Sequence, residues 1–286
     1  MQTTALFRDH RRHFQSFRYV YPVVSRRSGG LSIGINLNPD KACNFDCIYC
    51  QVDRRTPAAV RDVQVDTLIE ELHTLLEMAR SGALFAHEPF AQTPFSLRCL
   101  RDIAFSGDGE PTAAREFPEV VRRVTEIKKD PVWTGVKLVL ITNATLLHRP
   151  EVAQALTLLD QHEGEIWAKL DAGTEAYYHL VDRTTVPFAR VLDNICQAAR
   201  QRPIVIQSLF MRIHGQAPAP TEIAAYCQRL TDILRAGGQI RLVQVYTVAR
   251  SPAESYVTPL RDTEVDAIAE QVRRTTGLPA HSYYAA

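Results

Sequence analysis

No stretch of the sequence reaches the roughly 18 consecutive apolar residues that a membrane-spanning helix needs. The opening MQTTALFRDHRRHF also lacks the apolar segment of a secretory leader. A cytoplasmic, reducing compartment is therefore expected, with no membrane partner. Charge of one sign is lacking too. The formal net charge is +1 at pH 7, so the whole chain is not built to bind a polyanion. Internal repeats and low-complexity linkers are absent, which removes repeat arrays and gives no ground for dividing the chain in two. Cysteine is absent before Cys43. What is present is ordinary globular composition, 45% hydrophobic and 23% charged, over 286 residues. The basic start sets Arg8, Arg11, Arg12, Arg18, Arg26, Arg27 and Lys41 against Asp9 and Asp40. It reads either as a solvated surface segment or as one that contacts phosphate.

Short apolar runs alternate with stretches of helical period. Strand-like runs rich in β-branched and aromatic residues lie at 31–37, 102–107, 136–142, 165–171, 204–210 and 240–246. Apolar residues at i, i+3, i+4 and i+7 mark helices at 65–80, 118–129, 150–160, 188–200, 220–237 and 263–277, several opening on a proline. Six strand–helix units imply parallel strands joined by right-handed crossovers. Six are fewer than the eight of a closed barrel, which leaves a partial barrel or a doubly wound sheet. In both, ligands collect at the carboxyl ends of the strands. The Pro-interrupted segment 81–100 reads as an irregular excursion.

The first strand is followed by KACNFDCIYCQVDR, which places Cys43, Cys47 and Cys50 within eight positions. In a reducing compartment such a group reads as metal-binding or catalytic. A disulfide needs two thiols and a closed structural zinc site four ligands. Three thiolates suit zinc with water or a histidine added, or a [4Fe–4S] cluster with one iron left open. Cys99, Cys196 and Cys227 are scattered and read as ordinary free thiols.

Further polar residues mark the later strand ends. SGDGEPT (106–112) brings Gly107, Asp108, Gly109 and Glu110, TNAT brings Thr142 and Asn143, and AKLDAG brings Lys169 and Asp171. The fifth strand carries Gln207 and leads to Arg212 and His214; the last carries Tyr246 and leads to Arg250. Each has a structural reading: a glycine-rich turn, an Asx turn or helix cap, a buried Lys169–Asp171 ion pair.

The C-x3-C-x2-C spacing, with Tyr49 before the third cysteine, resembles the radical S-adenosylmethionine (SAM) superfamily. The stretches INLNPDKACNFDCIYC, SGDGEPT, TNAT and KLDA are similar to its wybutosine-synthesis-like branch of predicted iron–sulfur oxidoreductases. The resemblance runs over roughly residues 30–250 and implies a partial (β/α)6 TIM-type barrel of parallel strands with outer helices. It implies a [4Fe–4S] cluster on Cys43, Cys47 and Cys50, reduced by a donor such as flavodoxin or ferredoxin. SAM bound at the open iron is then cleaved to a 5′-deoxyadenosyl radical, which takes hydrogen from a substrate: a nucleoside or RNA, a peptide or a small metabolite.

By the same resemblance Glu110, with Gly107, Asp108 and Gly109, holds the SAM amino group. Here Asp108 replaces the first glycine of the family's Gly-Gly-Glu-like stretch. Thr142 and Asn143 reach the ribose or carboxylate, and Asp171 the ribose. Lys169 reaches the carboxylate or the substrate, or forms a Schiff base with a carbonyl. Tyr49, Gln207 and Tyr246 complete the implied cofactor-binding set. The expected organisation is a basic extension at 1–30, a core at 31–250 and a helical extension at 251–286 packing on it. The wybutosine enzyme that joins a pyruvate fragment to tRNA has a second cluster on upstream cysteines, which this chain lacks. A non-catalytic zinc or iron–sulfur protein that binds nucleic acid is the alternative.

Overall fold

The computed structural model describes residues 14–285. Arg8, Arg11 and Arg12 of the basic extension lie outside the described residues. The chain enters on a hairpin in which β1 (Val20–Ser25) runs antiparallel to β2 (Gly30–Ile35). Strands and helices then alternate as α1 (Val65–Ser81), β3 (Leu100–Phe105), α2 (Phe117–Lys128), β4 (Lys137–Thr142), α3 (Pro150–Asp160) and β5 (Gly164–Lys169). They continue as α4 (Glu175–Asp182), α5 (Phe188–Gln201), β6 (Ile204–Leu209), β7 (Met211–Ile213), α6 (Pro220–Arg235) and β8 (Ile240–Tyr246). The chain closes with β9 (Val257–Pro259), α7 (Asp262–Thr276) and β10 (Ala280–Tyr283).

One eight-stranded sheet takes the order β1-β2-β3-β4-β5-β6-β8-β10, parallel throughout except for β1 against β2. It curls into a half-barrel with helices outside, the partial TIM-type architecture expected. The six strands and six helices expected from periodicity are all present. Their helical stripes meet the outer face of the sheet: α1 buries Leu68, Leu72, Leu75 and Leu76, and α2 buries Val120, Val121 and Val124. Each such side chain contributes about 1.5–3 kcal/mol by leaving water. Proline opens α2, α3 and α6, where its missing N–H costs nothing.

Five elements are not visible in the periodicity. Strand β1 lies inside the expected basic extension and adds an edge to the sheet, with Pro22 opposite Ile33. Strand β10 follows the expected last helix and pairs with β8 at the other edge. Strands β7 and β9 form a small antiparallel pair. Helix α4, only eight residues long, is capped by Thr174, whose hydroxyl accepts from the Tyr177 N–H at 3.2 Å. Among the described residues no helix is long and apolar enough to cross a membrane.

Register brings the carboxyl ends of the parallel strands to one rim. Ile35 pairs with Phe105, Thr142 with Ala168, Lys169 with Gln207 and Leu209 with Tyr246. The cysteine loop leaves the sheet from this rim.

Candidate active site

The loop after β2 is pinned on both sides. Asn36 clamps the turn after β3: its Oδ1 accepts from the Asp108 N–H at 3.0 Å and its Nδ2 donates to Asp108 Oδ2 at 2.7 Å. Helix α4 takes the far side, where the Asp46 and Ile48 N–H groups donate to the carbonyls of Asp182 and Val181. Asn44, inside the cysteine spacing, closes a ring with the end of β4. Asn143 Nδ2 donates to Asn44 Oδ1, Asn44 Nδ2 donates to Thr145 Oγ1, and Thr145 Oγ1 donates to Asn143 Oδ1, each at 2.7 Å. Charge-free bonds of this kind contribute about 1 kcal/mol each; their larger effect is to tie the thiol loop to the third strand end in one register.

Gly107 and Gly109 serve close approach rather than unusual backbone torsion. A Cβ on Gly107 would lie 2.2 Å from Asn36 Oδ1, and one on Gly109 would lie 1.9 Å from the Ala42 carbonyl oxygen, next to Cys43. Gly109→Ala is therefore expected to push the cysteine loop outward. Iron uptake on reconstitution should fall severalfold relative to wild type; unchanged uptake would show that the close approach at Gly109 does not hold the loop.

Glu110 is buried and accepts four hydrogen bonds. Thr112 N–H, Thr112 Oγ1 and Thr142 Oγ1 reach Oε1 at 3.2, 2.5 and 2.6 Å, and the Asn143 N–H reaches Oε2 at 2.7 Å. A carboxylate offers about four lone-pair sites, so Oε2 keeps acceptor capacity that Oε1 does not. Burial raises the Glu110 pKa above the usual value, against the opposing pull of Thr112, Thr142 and Asn143.

The thiols are half-buried and free. Burial raises the Cys43 thiol pKa, and burial followed by the Asp182 charge raises that of Cys47 much further. Cys47 Sγ donates to Asp182 Oδ1 at 3.4 Å, and Arg54 Nη1 donates to Cys50 Sγ at 3.0 Å. Binding a metal through Cys43 and Cys47 must therefore displace their protons.

Lys169 and Asp171 form the ion pair that was their structural reading, with Nζ to Oδ2 at 3.0 Å. Lys169 also donates to Tyr246 OH at 2.9 Å and lies 4.9 Å from the centre of the Tyr49 ring. Burial pulls the lysine pKa down, but Asp171 and Tyr246 outweigh it and the net shift is upward. An ammonium held this way is a poor Schiff-base nucleophile. Lys169→Met would leave Asp171 buried without its cation. A loss of about 3–5 kcal/mol is expected for breaking such a pair, read as a lowered melting temperature; an unchanged one would deny the pair its structural role.

Of the expected site residues, all but Asp171 line one cavity of about 310 Å³ inside the half-barrel, while Asn36, Asn44, Thr112, Thr145 and Asp182 support its wall from behind. Its wall carries Cys43, Cys47, Cys50, Tyr49, Gly107, Asp108, Gly109, Glu110, Thr142, Asn143, Lys169, Gln207 and Tyr246. Gln207 is held by Gln244, at 3.1 Å. Asp171 sits behind the wall, where Tyr49 OH and the Leu209 N–H donate to it at 2.5 and 2.7 Å. Strand β5 ends at Lys169, so the alternation expected to aim both side chains inward does not reach Asp171. Arg212 pairs with Glu264, and His214 stacks on Tyr256 at 4.5 Å; neither reaches the cavity. Arg250 does line it. Sequence reasoning missed Asn44, Arg54 and Trp167, and named Arg27 only as part of the basic start. Asn44 and Arg54 carried a signal through their places within and just after the cysteine spacing.

Comparison with known proteins agrees with this geometry. A UPF0026 protein of Helicobacter pylori is 31% identical over 142 residues, covering 49% of this chain and 39% of that protein. A protein named GTPase Obg from Brachyspira hyodysenteriae is 24% identical over 254 residues, 86% of this chain and 32% of that protein. The chain thus spans about a third to two fifths of these curated relatives. A solved structure of TYW1 with a lysine–pyruvate adduct bound shares the fold, with TM-score 0.51 at 14% identity over 86% of this chain and 74% of that one. The family model described as the radical SAM superfamily matches residues 37–212, which include the cysteine loop, the Glu110 turn and the ends of β4 and β5. The chain belongs to the radical SAM superfamily.

Proposed function

We propose that this chain is an enzyme that holds a [4Fe–4S] cluster on Cys43, Cys47 and Cys50 and cleaves SAM reductively to abstract hydrogen from a substrate. The observation that carries the reading is the shared cavity wall. The three thiols open onto the same space as Glu110, and the Asn44–Asn143–Thr145 ring fixes one relative to the other.

The donor set fits the cluster. Among the described residues no group of three or more His, Cys, Asp or Glu side chains is gathered closely enough to hold a single ion. Zinc needs its sulfur ligands about 2.3 Å from one point, whereas a cluster takes each thiolate on a different iron. When bound, the cluster would supply one electron to SAM and cleave it to methionine and the 5′-deoxyadenosyl radical.

The protein's own groups orient and protect. Glu110 Oε2, with its remaining lone pair, accepts from the SAM ammonium, a charge-assisted bond. Thr142 and Asn143 hold that carboxylate in place. The buried wall of Tyr49, Leu209 and Trp167 keeps water from a reactive intermediate. Lys169, already paired, shapes the wall with its charge and does not form a covalent adduct. Asp171 positions Tyr49 and Lys169 instead of touching ribose. A one-electron donor of the flavodoxin or ferredoxin kind is the implied partner. The core at 31–250 is the proposed catalytic unit, with the strands at 20–25 and 280–283 completing its sheet.

Equilibrium dialysis of labelled SAM against the anaerobically reconstituted chain tests this reading. Cluster-loaded protein should bind one SAM per chain at least tenfold more tightly than cluster-free protein. Equal binding in both forms would separate SAM from the cysteines and contradict the proposal.

A further inference from the structure

The half-barrel leaves one side without a strand, and there the sheet's two edges approach each other. The turn between β1 and β2 carries Arg26 and Arg27; beyond β10 lies Tyr284, whose carbonyl accepts from Arg26. The turn is a tight one. The Gly29 N–H donates to the Ser25 carbonyl at 2.9 Å, and the Ser28 N–H donates to Ser25 Oγ at 3.1 Å. It turns Arg27 into the cavity.

Two aromatic faces orient the Arg27 guanidinium. It lies 5.0 Å from the centre of the Tyr246 ring and 5.8 Å from that of Trp167. Such cation–π contacts hold the plane while leaving the N–H edge available. Among the described residues no carboxylate is within ion-pairing distance of Arg27. Asp102, whose charge it feels, lines the same floor, but its Oδ1 accepts from Ser32 Oγ at 2.5 Å. Lys169, which also touches Tyr246, is neutralised by Asp171. An arginine offers five donors in a planar fork that matches a carboxylate or phosphate. Arg27 is a half-buried cation of this cavity, and its contacts among the described residues are aromatic rather than ionic.

We infer that Arg27 is an anion anchor: the cavity takes a molecule bearing a carboxylate or phosphate, which docks on the Arg27 fork beside Tyr246 and Trp167. Its identification as the substrate rests on the SAM-dependent hydrogen abstraction proposed above; the anion site itself does not. Held there, the molecule lies in the same cavity as the thiols and extends from the open side towards them.

Titration of the full chain with inorganic phosphate and with malonate tests the site, read by calorimetry and by the fluorescence of Trp167 in a Trp133→Phe background. Saturable binding of at least one anion is expected in cluster-free and cluster-loaded protein alike. Arg27→Gln should weaken it at least tenfold and Arg27→Lys severalfold, since lysine keeps the charge but loses the fork. Arg274→Gln, on the exposed face of α7, should leave it unchanged. Phosphate alone binding would point to a phosphorylated molecule, malonate alone to a carboxylate. No saturable binding, or equal affinity in wild type, Arg27→Gln and Arg27→Lys, would overturn the inference. Failure of SAM to bind the cluster-loaded protein would instead sink the proposed function and leave the anion site standing.

Discussion

Cys47→Ala is expected to strip the reconstituted protein of iron, from about four atoms per chain to background, while Cys227→Ala keeps the full complement. The two thiols differ in what surrounds them. Cys227 is buried inside α6 and touches no part of the cavity. Cys47 opens onto the cavity, between Cys43 and Cys50, on a loop pinned to α4 and to the end of β4. The alanine at 47 removes one hydrogen bond, to Asp182, so folding should survive. Iron and acid-labile sulfide assays beside a melting curve separate loss of the ligand from loss of the fold. Equal iron in both variants would overturn the ligand assignment.

Glu110→Gln should weaken SAM binding to cluster-loaded protein at least tenfold, equivalent to about 1.4 kcal/mol. The amide keeps the shape but loses the charge, and one end now presents N–H to the Thr112 and Thr142 donors or to the Asn143 N–H. An unsatisfied buried donor costs about 1–3 kcal/mol, so a lower melting temperature should accompany the loss. The pH dependence distinguishes the two effects. Burial raises the Glu110 pKa, so its carboxylate is protonated at a higher pH than an ordinary glutamate. The ionised form is the one that attracts an ammonium. SAM affinity in wild type should therefore fall on acidification before the ordinary glutamate range is reached, and that fall should be missing in Glu110→Gln. The same acid limb in both proteins would assign it to another group.

The periodic elements were legible because they are long and half-buried. The apolar stripes of α1 and α2 repeat over several turns, and β4 and β6 carry short apolar runs rich in β-branched residues. What escaped notice did so for local reasons. Strand β1 contains Pro22, which argues against a central strand but is tolerated at an edge, and an edge is where β1 lies. Strand β10 is four residues with no apolar run, fixed only by its pairing with β8. Helix α4 has two turns, too few for a period, yet it supplies the carbonyls that dock the cysteine loop.

The site was legible in the same uneven way. Cys43, Cys47 and Cys50 stand out by their spacing, and Glu110 by the resemblance of SGDGEPT at a strand end; all four line the one cavity. Asp171, expected to point into the barrel, lies behind the wall because strand alternation stops with β5 at Lys169. Gly107 and Gly109 were read as turn formers, whereas their lack of a side chain admits Asn36 and Ala42. Arg27 is legible only as one of several basic residues in a segment that reads as solvated or phosphate-contacting; its place in the cavity depends on the closure of a hairpin whose first strand has no periodic signal.

The central claim, that three thiols and Glu110 serve one SAM-cleaving centre, is tested most directly by anaerobic reconstitution followed by dithionite and SAM. The expected result is iron and sulfide in equal amounts and the appearance of 5′-deoxyadenosine and methionine, both abolished by Cys47→Ala. A protein that takes up zinc instead, or takes up iron and leaves SAM intact, would contradict it.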